Sequence, residues 1–361
     1  VQSNRERGNR VLRFLDRFLG IPLLFFLGLF RWRRPCPESP RQIAILKTAA
    51  IGDTVLISAI IDDLKAAYPE SCITFFCGAS NEAAARMLDG LSEVVRIPVA
   101  SPLKALRMMH RDWDLLLDFG QWPRLDALLA CLSGARFTIG FRTPGQHRHF
   151  LFDAAVQHRD DRHEMENFRA LLVPLGIRGR FRPRIPHRDV VRDPDKVVLH
   201  LFAGGLKSHL KEWPDESWLA LMDTLTDAGK ILFLTGSREN GMKARSLADR
   251  AKHPERVRSV AGEMTLPEVV DLLAEALILV TVNTGIMHLA AAIGCPLIAL
   301  NGPTSVKRWG PYSENSVALQ SPRACSPCLN LGFEYACPEN HCMRAITVSS
   351  VLDACSEMKI L

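Results

Sequence analysis

The sequence contains no apolar run long enough to cross a bilayer. Its longest uncharged apolar run is 13 residues, Phe18 to Phe30, against the roughly 20 a spanning helix needs. It has no GxGxxG turn, so the dinucleotide fingerprint is missing. It has no Asp-x-Asp pair at a position suited to holding a metal against a diphosphate. Beyond residue 41 it has no net charge: nine arginines against Glu6, Asp16 and Glu38 in the first 41 residues account for the whole +6 of the 361-residue chain. A nucleic-acid binder carries its basic excess on a folded surface, so nucleic acid is not an expected partner. A composition of 47% hydrophobic and 23% charged residues also excludes a disordered chain.

The cysteines lack the pattern of a secreted disulfide scaffold. Six of the ten stand singly, at 36, 72, 77, 131, 295 and 355, several within runs that read as strand or helix, where a thiol behaves as a small hydrophobe. A large chain of this kind suits a reducing compartment, so a cytoplasmic location is expected.

What the N-terminus does have is concentrated charge around an apolar core. Residues 9–34 place Leu, Phe and Trp between arginines, and Arg31, Trp32, Arg33 and Arg34 close the run where a signal peptide would have a small-residue cleavage site. Such a segment suits the acyl boundary of an anionic membrane surface; a hydrophobic helix packed on the protein's own core is the plainer alternative. Residues 1–40 are expected to be a membrane-associating amphipathic segment outside the catalytic fold, so that a chain lacking residues 1–34 should still fold. The protein would then be peripheral on the inner face of the cytoplasmic membrane.

From residue 41 short apolar runs alternate with helical stretches. Strands are expected at Ile43–Leu46, Cys72–Cys77, Val94–Pro98, Asp114–Phe119 and Thr138–Phe141, with a helix over Thr54–Tyr68. The Arg- and Pro-rich stretch 177–195 reads as a linker. The pattern then restarts with Val197–Leu201, a helix over Ser217–Ala228, and strands at Ile231–Gly236, Leu277–Val282 and Leu297–Asn301. Strands spaced by helices indicate βαβ units. The expected fold is α/β, with two Rossmann-like domains, residues 41–180 and 195–345, facing across a cleft, and a C-terminal helix over 346–361. Ligands of such sheets bind beyond the carboxyl ends of the strands.

Four loops at those ends carry chemistry. Gly52 permits a tight strand-to-helix turn, and Asp53 is either a helix cap or a base. Gly204 and Gly205 let backbone amides approach an anion, while Lys207 and Lys211 add positive charge; Pro214 is suited to a first helical position. Glu239, in Thr235-Gly-Ser-Arg-Glu239, could accept ribose hydroxyls or simply complement a helix dipole. At Asn283-Thr284-Gly285-Ile-Met-His288, Asn or Thr would cap a helix whose exposed amides suit phosphate.

At these residues the sequence resembles glycosyltransferase family 9, which includes the ADP-heptose:lipopolysaccharide heptosyltransferases. The matching elements run in the family's order: Ile51-Gly-Asp-Thr54, Lys211-Glu-Trp-Pro214, Gly236-Ser237-Arg-Glu239, Gly262-Glu-Met264-Thr-Leu, Asn283 to Ala291, and Gly302-Pro-Thr304. With the terminal cysteines they cover residues 43 to about 350. The resemblance implies a GT-B fold and an inverting, metal-independent sugar transfer that needs no cofactor. The first domain would hold a glycolipid acceptor and the second a nucleotide-sugar donor.

Carried over to this chain, Asp53 matches the general base, with Gly52 and Thr54 beside the acceptor. Lys211 matches the residue facing the donor phosphates, Glu239 (next to Ser237) the ribose contact, and Met264 a wall near the base. Thr284, Gly285 and His288 match the diphosphate loop, where Gly204 and Gly205 would also serve. The resemblance leaves open another nucleotide-sugar and surface glycan, or a GT-B-like scaffold that binds without transfer. Asn283 departs from the Asp common in the family; it is expected to act as a neutral cap. Finally, Cys325, Cys328, Cys337 and Cys342 fit a Cys₄ zinc site, a labile disulfide or free thiols; none of these readings makes them catalytic.

Overall fold

The computed structural model describes residues 10–205, 207–330 and 337–360, the first four by their backbone alone. Arg5 and Arg7 of the basic flank therefore lie outside the described residues. The chain divides into two compact units, 1–184 and 185–361, and the division falls inside the expected linker.

In the first unit, β1 (Gln42–Lys47), β2 (Cys72–Cys77), β3 (Glu93–Arg96), β4 (Leu115–Asp118), β5 (Phe137–Arg142) and β6 (Ala154–Gln157) form one sheet. Their order is β3-β2-β1-β4-β5-β6, and every pair is parallel. The second unit repeats the order with β7 (Asp193–His200), β8 (Ile231–Thr235), β9 (Val257–Ser259), β10 (Ala276–Val282), β11 (Leu297–Asn301) and β12 (Ser316–Gln320), as β9-β8-β7-β10-β11-β12. Central strands read as apolar runs because helices cover both faces of a parallel sheet. Ile43 to Leu46 are fully buried, as are Val197 to Leu199. This is the doubly wound order in which the connections diverge beside the first strand. It sets one switch point between β1 and β4 and another between β7 and β10.

The expected strands are present, with ends shifted by a few residues. β6, β9 and β12 were not expected. Two lie at sheet edges and β9 closes the opposite edge of the second sheet; none of the three carries a continuous buried apolar run to read. The helix expected from Thr54 begins at Ile51, so Asp53 is its third residue and Ala50 stands at the N-cap. Likewise Pro214 caps the helix Asp215–Asp227 instead of opening it.

The N-terminal segment departs most from expectation. It forms two helices, Arg10–Phe18 and Gly20–Leu29, and the second is apolar all round, not amphipathic. It is also built into the first unit. Leu24 is fully buried in the core with Leu46, Leu116 and Leu151, and Gly20 packs against the Arg124 side chain. Asp16 accepts from the Arg124 and Leu125 backbone amides at 2.8 and 3.1 Å, capping the helix Arg124–Leu132 from 108 residues away, and pairs with the Arg124 guanidinium at 3.0 Å. Arg31 pairs with Asp153 at 2.6 Å. Deleting residues 1–34 would strip that cap and leave the buried Arg124 and Asp153 without their counter-charges. The opposite face remains apolar and exposed: Phe14, Phe18, Leu23, Phe26, Phe30 and Trp32, the last 87% accessible. No helix among the described residues is long and apolar enough to cross a membrane.

Candidate active site

The β1/β4 switch point gathers the first group. Lys47 ends β1; its ammonium, on a side chain 5% exposed, lies 2.6 Å from Asp53 Oδ2. It also donates to the Phe119 carbonyl at 3.1 Å and to Gln121 Oε1 at 2.8 Å, both just beyond β4. Gln121 Nε2 donates to Asp53 Oδ2 at 3.0 Å. Asp53 therefore does not cap its helix; its carboxylate is turned toward the switch point. Ala50, with φ of 77°, makes the turn between them. A left-handed conformation in a non-glycine residue is strained and recurs at functional sites. Asn81 ties the loop down by donating to the Lys47 carbonyl and to Thr54 Oγ1. Thr54 spends its own proton on the Ala50 carbonyl and is fully buried. Its hydroxyl fastens the turn. Gly52 is buried in the same helical turn.

Below this group lies a set of charges that sequence reasoning missed. Asp118 forms an ion pair with the fully buried Arg148, whose other end-nitrogen donates to the Gly120 carbonyl. Asp126 accepts from Thr48 Oγ1 at 2.9 Å. Burial, and then the Asp118 charge, push its carboxyl up to about 7. Each was hidden in an apolar or ordinary helical stretch, and only the fold brings them together.

The second group flanks the β7/β10 switch point. After β7 the chain passes Gly204 and Gly205, the latter with φ of 96°, and Lys207, left-handed with φ of 48°. Lys211 then folds back and donates to the Gly204 carbonyl at 2.6 Å. The neighbouring residues of its motif are structural. Trp213 donates to the Ile346 carbonyl and packs edge-on against Trp218, with ring centres 5.1 Å apart. Across the switch point, the helix Gly285–Ala292 starts directly after β10. Thr284 holds its N-cap position but makes no capping bond, and its buried hydroxyl has no hydrogen-bond partner among the described residues. The Gly285, Ile286 and Met287 amides open this helix, with the buried His288 in its first turn.

Asn283 is not a cap. Its amide Nδ2 donates to the Trp309 carbonyl and to Asn301 Oδ1, both at 2.8 Å, and to Met287 Sδ at 3.8 Å.

Ser237 and Glu239 lie in an exposed turn after β8, closed by a capping box between Ser237 and Asn240. Gly262 passes so close beneath that turn that a Cβ would stand 2.4 Å from the Arg238 Cα. Met264, half-buried, leads into the helix Leu266–Glu275, capped by Thr265. Thus Gly204, Gly205, Lys211, Thr284, Gly285 and His288 flank one switch point, with Ser237, Glu239 and Met264 on the β8 side of the sheet.

Cys325, Cys328, Cys337 and Cys342 line one cavity with His341 and Glu339. All ten thiols are free. Among the described residues no group of three or more His, Cys, Asp or Glu side chains is arranged to hold a metal.

Residues 107–338 match the family model described as glycosyltransferase family 9 (heptosyltransferase). The chain is 28% identical to lipopolysaccharide heptosyltransferase 1 of Salmonella typhimurium over 310 residues, 78% of this chain and 94% of that one. Among solved structures it is similar to an Escherichia coli ADP-heptose LPS heptosyltransferase II, with TM-score 0.70, 18% identity and coverage of 88% of this chain and 98% of that one. It is also similar to E. coli heptosyltransferase WaaC with ADP, with TM-score 0.68, 19% identity and coverage of 88% and 99%. The two-sheet fold is therefore that of GT-B heptosyltransferase structures.

Proposed function

The chain belongs to glycosyltransferase family 9, and on that premise we propose that it transfers heptose from ADP-heptose to a lipid-linked glycan of the lipopolysaccharide-core kind. The likeness to a lipopolysaccharide heptosyltransferase along 94% of that relative's length supports the substrate class. The observation that carries the chemistry is the Asp53 carboxylate, aimed at a switch point by Lys47 and Gln121. In this reading Asp53 takes the proton of the acceptor hydroxyl as that oxygen attacks the anomeric carbon, and ADP leaves from the opposite face. One displacement inverts the configuration.

The leaving diphosphate needs positive charge and amide donors. Lys211 and the amides that open the helix Gly285–Ala292 supply them, so the transfer needs no metal. Glu239 meets the ribose and Met264 the base. The exposed apolar face of the N-terminal helices, set among arginines, docks on an anionic membrane, which brings the enzyme to its glycolipid.

The test is turnover of the full chain with ADP-heptose and a heptose-free lipopolysaccharide acceptor, read as ADP release and added product mass. Asp53→Asn should lower kcat by roughly 10²–10⁴ with little loss of ADP binding. Turnover only with a GDP- or UDP-sugar would overturn the donor assignment. Nucleotide-sugar binding without transfer to any acceptor would make the protein a scaffold.

A further inference from the structure

Gln121 makes three contacts that admit one orientation of its amide. An ammonium can only donate and an ionised carboxylate can only accept. Oε1 must therefore face Lys47 Nζ, at 2.8 Å, and Nε2 must face Asp53 Oδ2 and Glu164 Oε1, at 3.0 and 3.1 Å. Glu164 is fully buried; it meets His158 Nε2 at 2.9 Å through Oε1 and accepts from Asn167 Nδ2 at 3.3 Å through Oε2. A neutral side chain thus stands between two carboxylates and one lysine, at the switch point of the first sheet.

Two consequences follow for Asp53. Lys47 and Gln121 both fall on Oδ2, which fixes the rotation of the carboxylate and leaves Oδ1 to receive a proton. The amide also separates Glu164 from Lys47, so the lysine charge stays with Asp53. We infer that Gln121 is the positioning residue for the base: it selects which oxygen of Asp53 meets the acceptor hydroxyl and keeps the second carboxylate off the lysine. The inference rests on the reading of Asp53 as the base.

The charged groups facing this pair are Lys47 from β1, Glu164 from the helix Glu164–Ala170 and His158 from the turn after β6. Asp118, Asp126 and Arg148 lie beneath. Replacing the amide by a carboxylate adds a third negative group around the one lysine, which raises the proton affinity of the set.

The experiment measures kcat and KM against pH for the full chain, with Gln121→Glu, Gln121→Met and Asp53→Asn, alongside thermal unfolding. Gln121→Met keeps the volume and loses all three bonds. It should lower kcat about 10- to 100-fold, within the range of acid–base contributions, with KM for ADP-heptose changed less than about twofold. Gln121→Glu should move the acid limb of the kcat profile up by about one pH unit or more. Wild-type kcat in Gln121→Met, or an unmoved acid limb in a folded Gln121→Glu, would overturn the inference. If Gln121→Glu does not fold, the kcat-against-KM split of Gln121→Met decides alone. Undiminished turnover in Asp53→Asn would remove the base assignment itself, whereas an inactive Asp53→Asn beside unaffected Gln121 variants would remove only the positioning role.

Discussion

The side-chain amide of Asn283 donates at 2.8 Å to the Trp309 carbonyl, and no carboxylate can do so. Its second donation, to Asn301 Oδ1, falls at the same distance. An aspartate placed here would set its charge against two acceptors. Asn283→Asp should therefore destabilise the second unit by about 1–3 kcal/mol, the cost of a buried polar group left facing the wrong partner. Thermal unfolding checks this, and an unchanged midpoint would show that the Trp309 loop and Asn301 re-form around an acid.

Lys211 rests on the Gly204 carbonyl, a partner it can leave for a phosphate. Lys211→Ala should weaken ADP binding by about 10- to 100-fold, the worth of a charge-assisted hydrogen bond. Lys211→Arg should recover only part of it, because a planar fork replaces a point charge. Calorimetric titration of ADP into both variants is the measurement; equal affinity in wild type and Lys211→Ala would discharge the lysine from the donor site.

His200 is buried at the end of β7, its Nδ1 2.9 Å from Thr235 Oγ1, and burial lowers its pKa from 6.5 to about 4. The folded unit thus favours the neutral ring. Its stabilising contribution is complete above the unfolded pKa near 6.5 and is lost as pH falls from there toward 4. At pH 5 the loss comes to about 2 kcal/mol. His200→Gln should show a smaller drop in unfolding temperature between pH 7 and pH 5 than wild type. Equal drops in both proteins would assign the acid sensitivity elsewhere.

The N-terminal helices should separate two effects. Phe26→Glu and Trp32→Glu alter exposed residues and should weaken sedimentation with anionic vesicles while leaving unfolding temperature nearly unchanged. Asp16→Ala removes a helix cap and should destabilise the fold by about 1 kcal/mol. Vesicle binding by wild type should be strongest at low salt, since headgroup attraction is screened within about 10 Å at 0.1 M. If both Glu variants sediment as wild type does, the apolar face serves something other than a lipid surface.

The doubly wound halves were legible in the sequence because buried parallel strands leave unbroken apolar runs, as at Ile43–Leu46 and Leu297–Asn301. The edge strand β12 was not, since its residues are all half-buried. Asp53 was legible as a carboxylate after a strand, but its partners were not. Gln121 lies 68 residues away and belongs to no motif; only the pairing of β1 with β4 brings it close. The role of Asn283 was misread for a related reason. Its place before a helix suggested a cap, while its two bonds at 2.8 Å go to residues 301 and 309, which meet it only in the folded unit. The N-terminal segment was read from its apolar face and flanking charge, and nothing local announced that Asp16 would reach Arg124.

That reach makes the segment a strut rather than a tether. The helix capped by Asp16 begins at Arg124, three residues beyond Gln121, so the surface that would meet lipid and the loop that holds Asp53 are parts of one compact unit. An enzyme on a flexible leash samples every height above a bilayer. Under the proposed lipid docking the working height would be set by the fold, and the sugar to be extended would have to stand at that distance from its own lipid. Chain length in the acceptor would then be measured mechanically, by the spacing between membrane and base.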